Sequence, residues 1–265
     1  MAGCPNCQTQ LVGRFCHQCG QEQGPLLPSL RRWAGDLVDE LLLVNGRLPR
    51  TVRLLLAQPG TLTRDWAEGR RARHVAPIRL FLGSAVLFFF AWHLSAERQG
   101  LYLAETFHGA IDGWYAGSDL TAPADTAAIA GTLAGRIVSG LRILLLVVSV
   151  PLVAVLNYSG WKDRSGAMVV QLTFSLHLHA VGLTVLAAWL SAGRVVPALL
   201  GPNAILIPFG AMVVYLIVAL RRAFALPVRA AVARGLGLAI AYWFLAGLLA
   251  LVYALLPVWP VLGSS

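Results

Sequence analysis

From residue 235 to residue 256 the chain carries no charged side chain on any face. A helix on a soluble protein needs a polar stripe, so a run like this belongs inside a large core or in lipid. Crossing a ~30 Å hydrocarbon layer takes about 20 residues, and four further apolar stretches approach that length, at 78–94, 137–157, 167–190 and 204–220. Backbone groups in lipid must pair within their own segment, so each stretch reads as a helix. Composition points the same way: 57% of residues are hydrophobic and 12% charged, about half the charged fraction of ordinary soluble domains. The expected fold class is an all-α integral membrane protein with five transmembrane helices.

Ahead of these stretches stand four cysteines in two pairs, Cys4-x2-Cys7 and Cys16-x2-Cys19. Two ligands separated by two residues let one tight turn present both sulfurs to one tetrahedral ion, and the second turn completes the shell. Pro5-Asn6 and His17-Gln18 fill the turns, and Gly20 follows where a knuckle needs a residue tolerant of positive φ. A disulfide framework would need an oxidising compartment, and the first 25 residues hold no apolar signal core. The pattern therefore predicts a small zinc ribbon with Cys4, Cys7, Cys16 and Cys19 as the metal ligands. Four thiolates leave no open position for water or substrate, so the zinc is expected to be structural. His17, between Cys16 and Cys19, reads as a solvated turn residue.

Thiolates that stay reduced belong in the cytosol, and the arginines reach the same orientation independently. Residues 1–77 carry ten arginines, whereas the loop at about 96–135 carries only Arg98 against Glu97, Glu105, Asp112, Asp119 and Asp125. Lys162 and Arg164 follow the second stretch; Arg221, Arg222, Arg229 and Arg234 follow the fourth; Arg194 alone follows the third. By the positive-inside rule this alternation predicts a cytosolic N-terminus and an external C-terminus. The formal net charge of +9 is then mostly an orientation signal and calls for no nucleic acid. Twenty arginines against one lysine, with abundant alanine, suggest a high-GC bacterium and so its inner membrane.

Between ribbon and membrane, three short helices are expected. The first opens at Ser29 with Leu30, Trp33, Leu37, Leu41 and Val44 on one side and stops at Asn45-Gly46. The second has Pro49 in its first turn and ends at Pro59-Gly60, and Thr61 is placed as the cap of the third. Arg70, Arg71 and Arg73 then precede Pro77, which is positioned to open the first span. At about 1 kcal/mol per basic residue near anionic headgroups, these arginines are expected to hold the segment to the bilayer surface. The chain divides into a ribbon (1–24), juxtamembrane helices (25–76) and a membrane domain (77–265).

The ordered set Cys4-Pro5-Asn6-Cys7, Gly13 to Gln21, Arg50-Thr51, Leu54-Leu55, Pro59-Gly60, Gly69-Arg70-Arg71 and Pro77 resembles the bacterial family called domain of unknown function 3667. The resemblance implies a cytosolic ribbon before several membrane helices and implies no activity. Gln8 stands where that family often has glycine.

Polar groups inside a bilayer are functional candidates. Gln171, Ser175 and His179 fall at i, i+4 and i+8 on one stripe of the third stretch, and His177 points away. They read as interhelical packing or as a proton or metal path, and no Asp or Glu in the five stretches supports the path. Pro208 either kinks the fourth span or marks a late helix start. His177-x-His179 and the outer-loop group Glu105, His108 and Asp112 lack ligand spacing or a further partner, and no phosphate loop or nucleophile elbow is present. The expectation is a non-enzymatic docking, scaffold or membrane-sensing protein with a cytosolic or membrane partner. The alternative is a transporter using the third and fourth spans.

Overall fold

The computed structural model describes residues 3–23, 47–117, 149–159, 168–200, 204 and 206–255. Among them the regular structure is helical, with no strand. Two short helices, α1 (Leu48–Ala57) and α2 (Thr61–Ala67), precede α3 (Pro77–Ala116), α4 (Ser149–Ser159), α5 (Met168–Val195), α6 (Leu206–Ala223) and α7 (Val228–Leu255). Four of these are long and apolar enough to cross a membrane: α3 over Pro77–Ser95, α5, α6 and α7 over Val228–Leu245. The expected helix at 29–44 and most of the expected span at 137–157 lie outside the described residues, and α4 contains the end of that span.

Local chemistry sets the starts and stops. Pro49 stands in the first turn of α1 and Pro77 opens α3, where a missing N–H costs nothing. Gly60, at φ +82, is the N-cap of α2, so Thr61 is the first helical residue and not the cap. Pro208 falls in the first turn of α6, and the Ile207 amide donates to Ala204 O at 3.1 Å, so the late start accounts for this proline without a kink. The stretch after residue 95, expected to be an outer loop, continues α3 as one helix to Ala116. No proline interrupts it and Leu, Ala and Glu favour helix there.

Helix α5 forms the centre: 67% of its apolar window is buried, against 11% for α7. On α3, Phe81, Ala85, Phe88 and Ala91 face inward, whereas Val86, Leu87, Phe90 and Leu94 are exposed. The exposed face of α7 carries Leu236, Ile240, Phe244 and Leu248. Apolar surface on that scale suits lipid, where helix association rests on close packing between helices. Small residues permit it. A Cβ on Gly182 would stand 3.5 Å from Met212 Cε, and one on Gly235 2.6 Å from Ile217 Cγ1.

Helix directions follow from the order of contacts. The segment before Pro77 meets His177 through Thr63, and Ser84 accepts from the Thr184 hydroxyl at 3.0 Å, so α3 and α5 run parallel. Val150 meets Ser175 and Asn157 meets Gln171, so α4 is antiparallel to α5. Phe174 packs on Phe224 and Gly182 on Met212, so α6 is antiparallel to α5. Ile217 faces Gly235 and Phe209 faces Trp243, which turns α7 back again.

Candidate metal centre and its seat

Residues 3–23 form two turns of matching design. Cys4 N donates to Thr9 O and Gln8 N to Cys4 O, both at 2.8 Å; Cys16 N donates to Gln21 O at 2.9 Å and Gly20 N to Cys16 O at 2.8 Å. Gln8 and Gly20 hold equivalent places at φ +66 and +71. The first knuckle thus keeps its shape with a non-glycine residue in the left-handed region, at a cost of about 1–2 kcal/mol. All four sulfurs lie within 4.8 Å of one another, with Cys4 to Cys19 at 3.7 Å and Cys7 to Cys16 at 3.5 Å. For metal–sulfur bonds of about 2.3 Å a tetrahedron has edges of about 3.8 Å. The cluster is compatible with one tetrahedral ion, and none of the four cysteines is in a disulfide. Burial pushes the Cys4 thiol up to about 11, whereas the hydroxyl and amide of Thr9 pull Cys7 down to about 6.

The ribbon is seated on the turn between α2 and α3. The Gln21 amide donates to Gly69 O at 2.7 Å and accepts from the Arg71 and Ala72 amides at 3.1 Å each. Arg73 Nε donates to Asn6 Oδ1 at 2.9 Å, reaching inside the first knuckle. Arg71 lies over the Trp66 ring at 5.5 Å. Sequence reasoning placed Asn6 and Gln21 only as turn and flanking residues; contacts between positions about 50 to 70 apart leave no periodic signal.

Beneath the seat lies a buried polar group. Asp65 Oδ1 accepts from Arg70 at 2.6 and 3.1 Å, and Oδ2 accepts from His74 Nε2 at 2.7 Å. Burial pushes the Asp65 carboxyl up, but hydrogen bonds from Arg70 and His74 outweigh it and hold the net value below the ordinary carboxylate range. Burial depresses His74 against the opposing pull of Asp65. The Thr51 hydroxyl donates to Arg47 O at 2.8 Å and accepts from Val75 N at 3.2 Å, tying α1 to the same turn. The Tyr215 hydroxyl of α6 donates to Leu55 O at 2.7 Å. Thr63 and His177 Nδ1 share a hydrogen bond of 2.9 Å, so the histidine expected to point away from the polar stripe is what joins α2 to α5. In the stretch 47–79 only Asp65 and Glu68 are acidic among many arginines, and that isolation is the signal that could have marked the group.

A dependence on pH follows. Both folded pKa values lie below their ordinary ones, so the unfolded chain binds more protons as pH falls, first through about 6.5 for histidine and then through about 4 for aspartate. Stability present at neutral pH is therefore lost on acidification. Asp65→Asn is expected to lower stability at pH 7 by on the order of 1–3 kcal/mol. Melting curves of parent and variant in mild detergent should converge below pH 4.

The polar stripe of α5 is bonded partly to α4 and partly within its own helix. Arg234 Nε donates to Asn157 Oδ1 at 3.0 Å and the Asn157 amide donates to Gln171 Oε1, fixing the order of donors along the chain of three. The Ser175 hydroxyl donates to Val150 O at 2.6 Å. His179 Nδ1–H donates to Ser175 O of its own helix at 2.8 Å. Arg234, read from sequence as a flank charge, is half-buried and also donates to the Asn157 carbonyl. His108 and Asp112 stand 3.3 Å apart on the outer part of α3 as an exposed pair.

Residues 45–89 match the family model described as Protein of unknown function (DUF3667). That stretch bears out the family resemblance. The family segment begins after the four cysteines and contains the seat: α1, α2, the Gly69–Arg73 turn, the Asp65 group and the first turns of α3. What identifies the family segment is thus the base on which the ribbon rests. No curated protein and no solved structure matches the chain.

Proposed function

We propose that this is a five-span bacterial inner-membrane protein whose cytosolic zinc ribbon is a docking module held on a rigid base. The observation that carries the docking role is the division of the ribbon into two faces. Gln21 and Asn6 fasten one to the Gly69–Arg73 turn, while Val12, 88% exposed, and Phe15, 57% exposed, stand on the ribbon without apolar cover. A module of this size fixed on one side and apolar on another suits a protein partner. Zinc fits the all-thiolate donor set and plays a structural part.

Helix direction supports the fifth crossing. Helices α3 and α5 run parallel, and α4, antiparallel to α5, has the direction of a return between them. Arginine asymmetry and reduced thiols favour a cytosolic N-terminus and an external C-terminus. The packing reading is supported over a path because Gln171 Oε1 and the Ser175 hydroxyl both bond to α4.

The test places a photo-crosslinking residue at Val12 or Phe15 in the full chain in cells. A discrete adduct with a cytosolic protein at both positions, lost when Gln21 is replaced by alanine to unseat the ribbon, is the expected result. Adducts with lipid alone would end the docking reading, and adducts with an external protein would reverse the orientation.

A further inference from the structure

A cavity of about 630 Å³ opens where α2 meets the turn between α6 and α7, lined by Arg64, Arg221, Arg222, Val218, Ala225 and Leu226. Three guanidinium groups from two distant parts of the chain share this wall, and no carboxylate lines it. Among the described residues Arg64 is paired with Glu68 at 3.3 Å, and both side chains are largely exposed. Among the described residues Arg221 and Arg222 form no ion pair, whereas Arg70 is paired with Asp65 and Glu68, and Arg73 is bonded to Asn6. Three like charges set against one exposed carboxylate, itself shared with Arg70, still repel, and a bound anion removes that repulsion.

Position narrows the anion. Arg221 and Arg222 occupy the last turn of α6, and α7 begins at Val228, so the cavity lies at the ends of two membrane-length helices. Guanidinium forks match the oxygens of a phosphate bidentately. Val218 and Leu226 supply an apolar wall beside them. The base is fixed to this end of α6 by Tyr215 on Leu55 and by Gly60 against Ala219, which keeps Arg64 opposite the other two. We propose that this cavity binds a phosphate group presented at the membrane surface, with Arg64, Arg221 and Arg222 as its ligands. The inference rests on the membrane placement of α6 and α7 and is independent of the docking role of the ribbon.

The experiment titrates the full-length protein in neutral detergent, at fixed ionic strength, with short-chain phosphatidylglycerol, short-chain phosphatidylcholine and inorganic phosphate, reading binding by thermophoresis. The anionic lipid is expected to bind about tenfold or more tightly than the zwitterionic one, and Arg221→Gln/Arg222→Gln to weaken it by at least about tenfold. Arg229→Gln, outside the cavity, should stay within about twofold. If inorganic phosphate binds with the same dependence on the two arginines, the site is confirmed with a soluble source for its ligand. Equal weakening by Arg229→Gln would show diffuse surface charge and overturn the proposal, as would unaltered binding in the double variant. Should that variant fail to fold, Arg64→Gln on the separate helix α2 must reproduce the loss, and its failure to do so is equally decisive.

Discussion

On the proposed zinc assignment, replacing Cys4 and Cys16 together by serine is expected to reduce bound zinc from one ion per chain to near zero, leaving the long apolar helices folded. The sulfurs sit 3.5 to 3.7 Å apart in pairs, so two lost ligands leave an incomplete shell that cannot hold the ion. Structural zinc in small all-ligand modules contributes apparent binding energies of about 10–16 kcal/mol, and that energy is folding energy. With two isolated bridges and a few turns, residues 3–23 have little else to hold them. The ribbon should therefore unfold and release its seat. Hydrogen exchange at the Ala72 amide, which donates to Gln21, reports that release directly. Unchanged protection there, or a full complement of zinc in the variant, would refute the assignment; an iron–thiolate absorption band in the parent would change the metal.

Gly60→Ala should be strongly destabilising. Gly60 has φ +82, and a Cβ added there would lie 2.3 Å from Ala219 O and 3.0 Å from both Ala219 Cα and Ala223 N. All three are backbone atoms, so no side chain can swing away. Left-handed backbone costs about 1–2 kcal/mol for alanine, and forced overpacking about 1–3 more. A loss of roughly 2–5 kcal/mol on those two counts would detach α1 and α2 from α6 before the membrane helices separate. Limited proteolysis in detergent should then cut within 47–76 at protease levels the parent survives. Gly83→Ala on α3, where an added Cβ meets nothing within 4 Å, serves as the neutral control.

Different physical signals made parts of this architecture legible. Apolar runs of this length announce helices because a helix pairs its backbone within one segment, and Pro77 marks the start of α3 at the residue expected. Cysteine spacing carried the metal cluster because knuckle geometry is local. The stop at Pro59-Gly60 was read correctly, but the same glycine also caps α2 and admits Ala219, roles that depend on a helix about 160 residues away. Asp65, His74 and His177 escaped for a similar reason. A lone acid and two histidines have many solvated uses, and only tertiary packing brings Thr63 to His177 and His74 to Asp65. Arg234 shows how one residue can carry two signals: as a charge near a helix end it orients the chain, and as a fork of donors it grips Asn157.

Helix α3 has a mechanical consequence. Its 40 residues make a rod of about 60 Å, roughly twice the hydrocarbon thickness. The rod is pinned at Pro77, within a few residues of the Gly69–Arg73 turn that carries the ribbon. A tilt of about 5° at that fulcrum sweeps Ala116 through about 5 Å on the geometry of a straight helix. A ribbon gripped or released at one end of α3 would thus be felt as displacement far out at the other, with the helix as pointer and the seat as pivot.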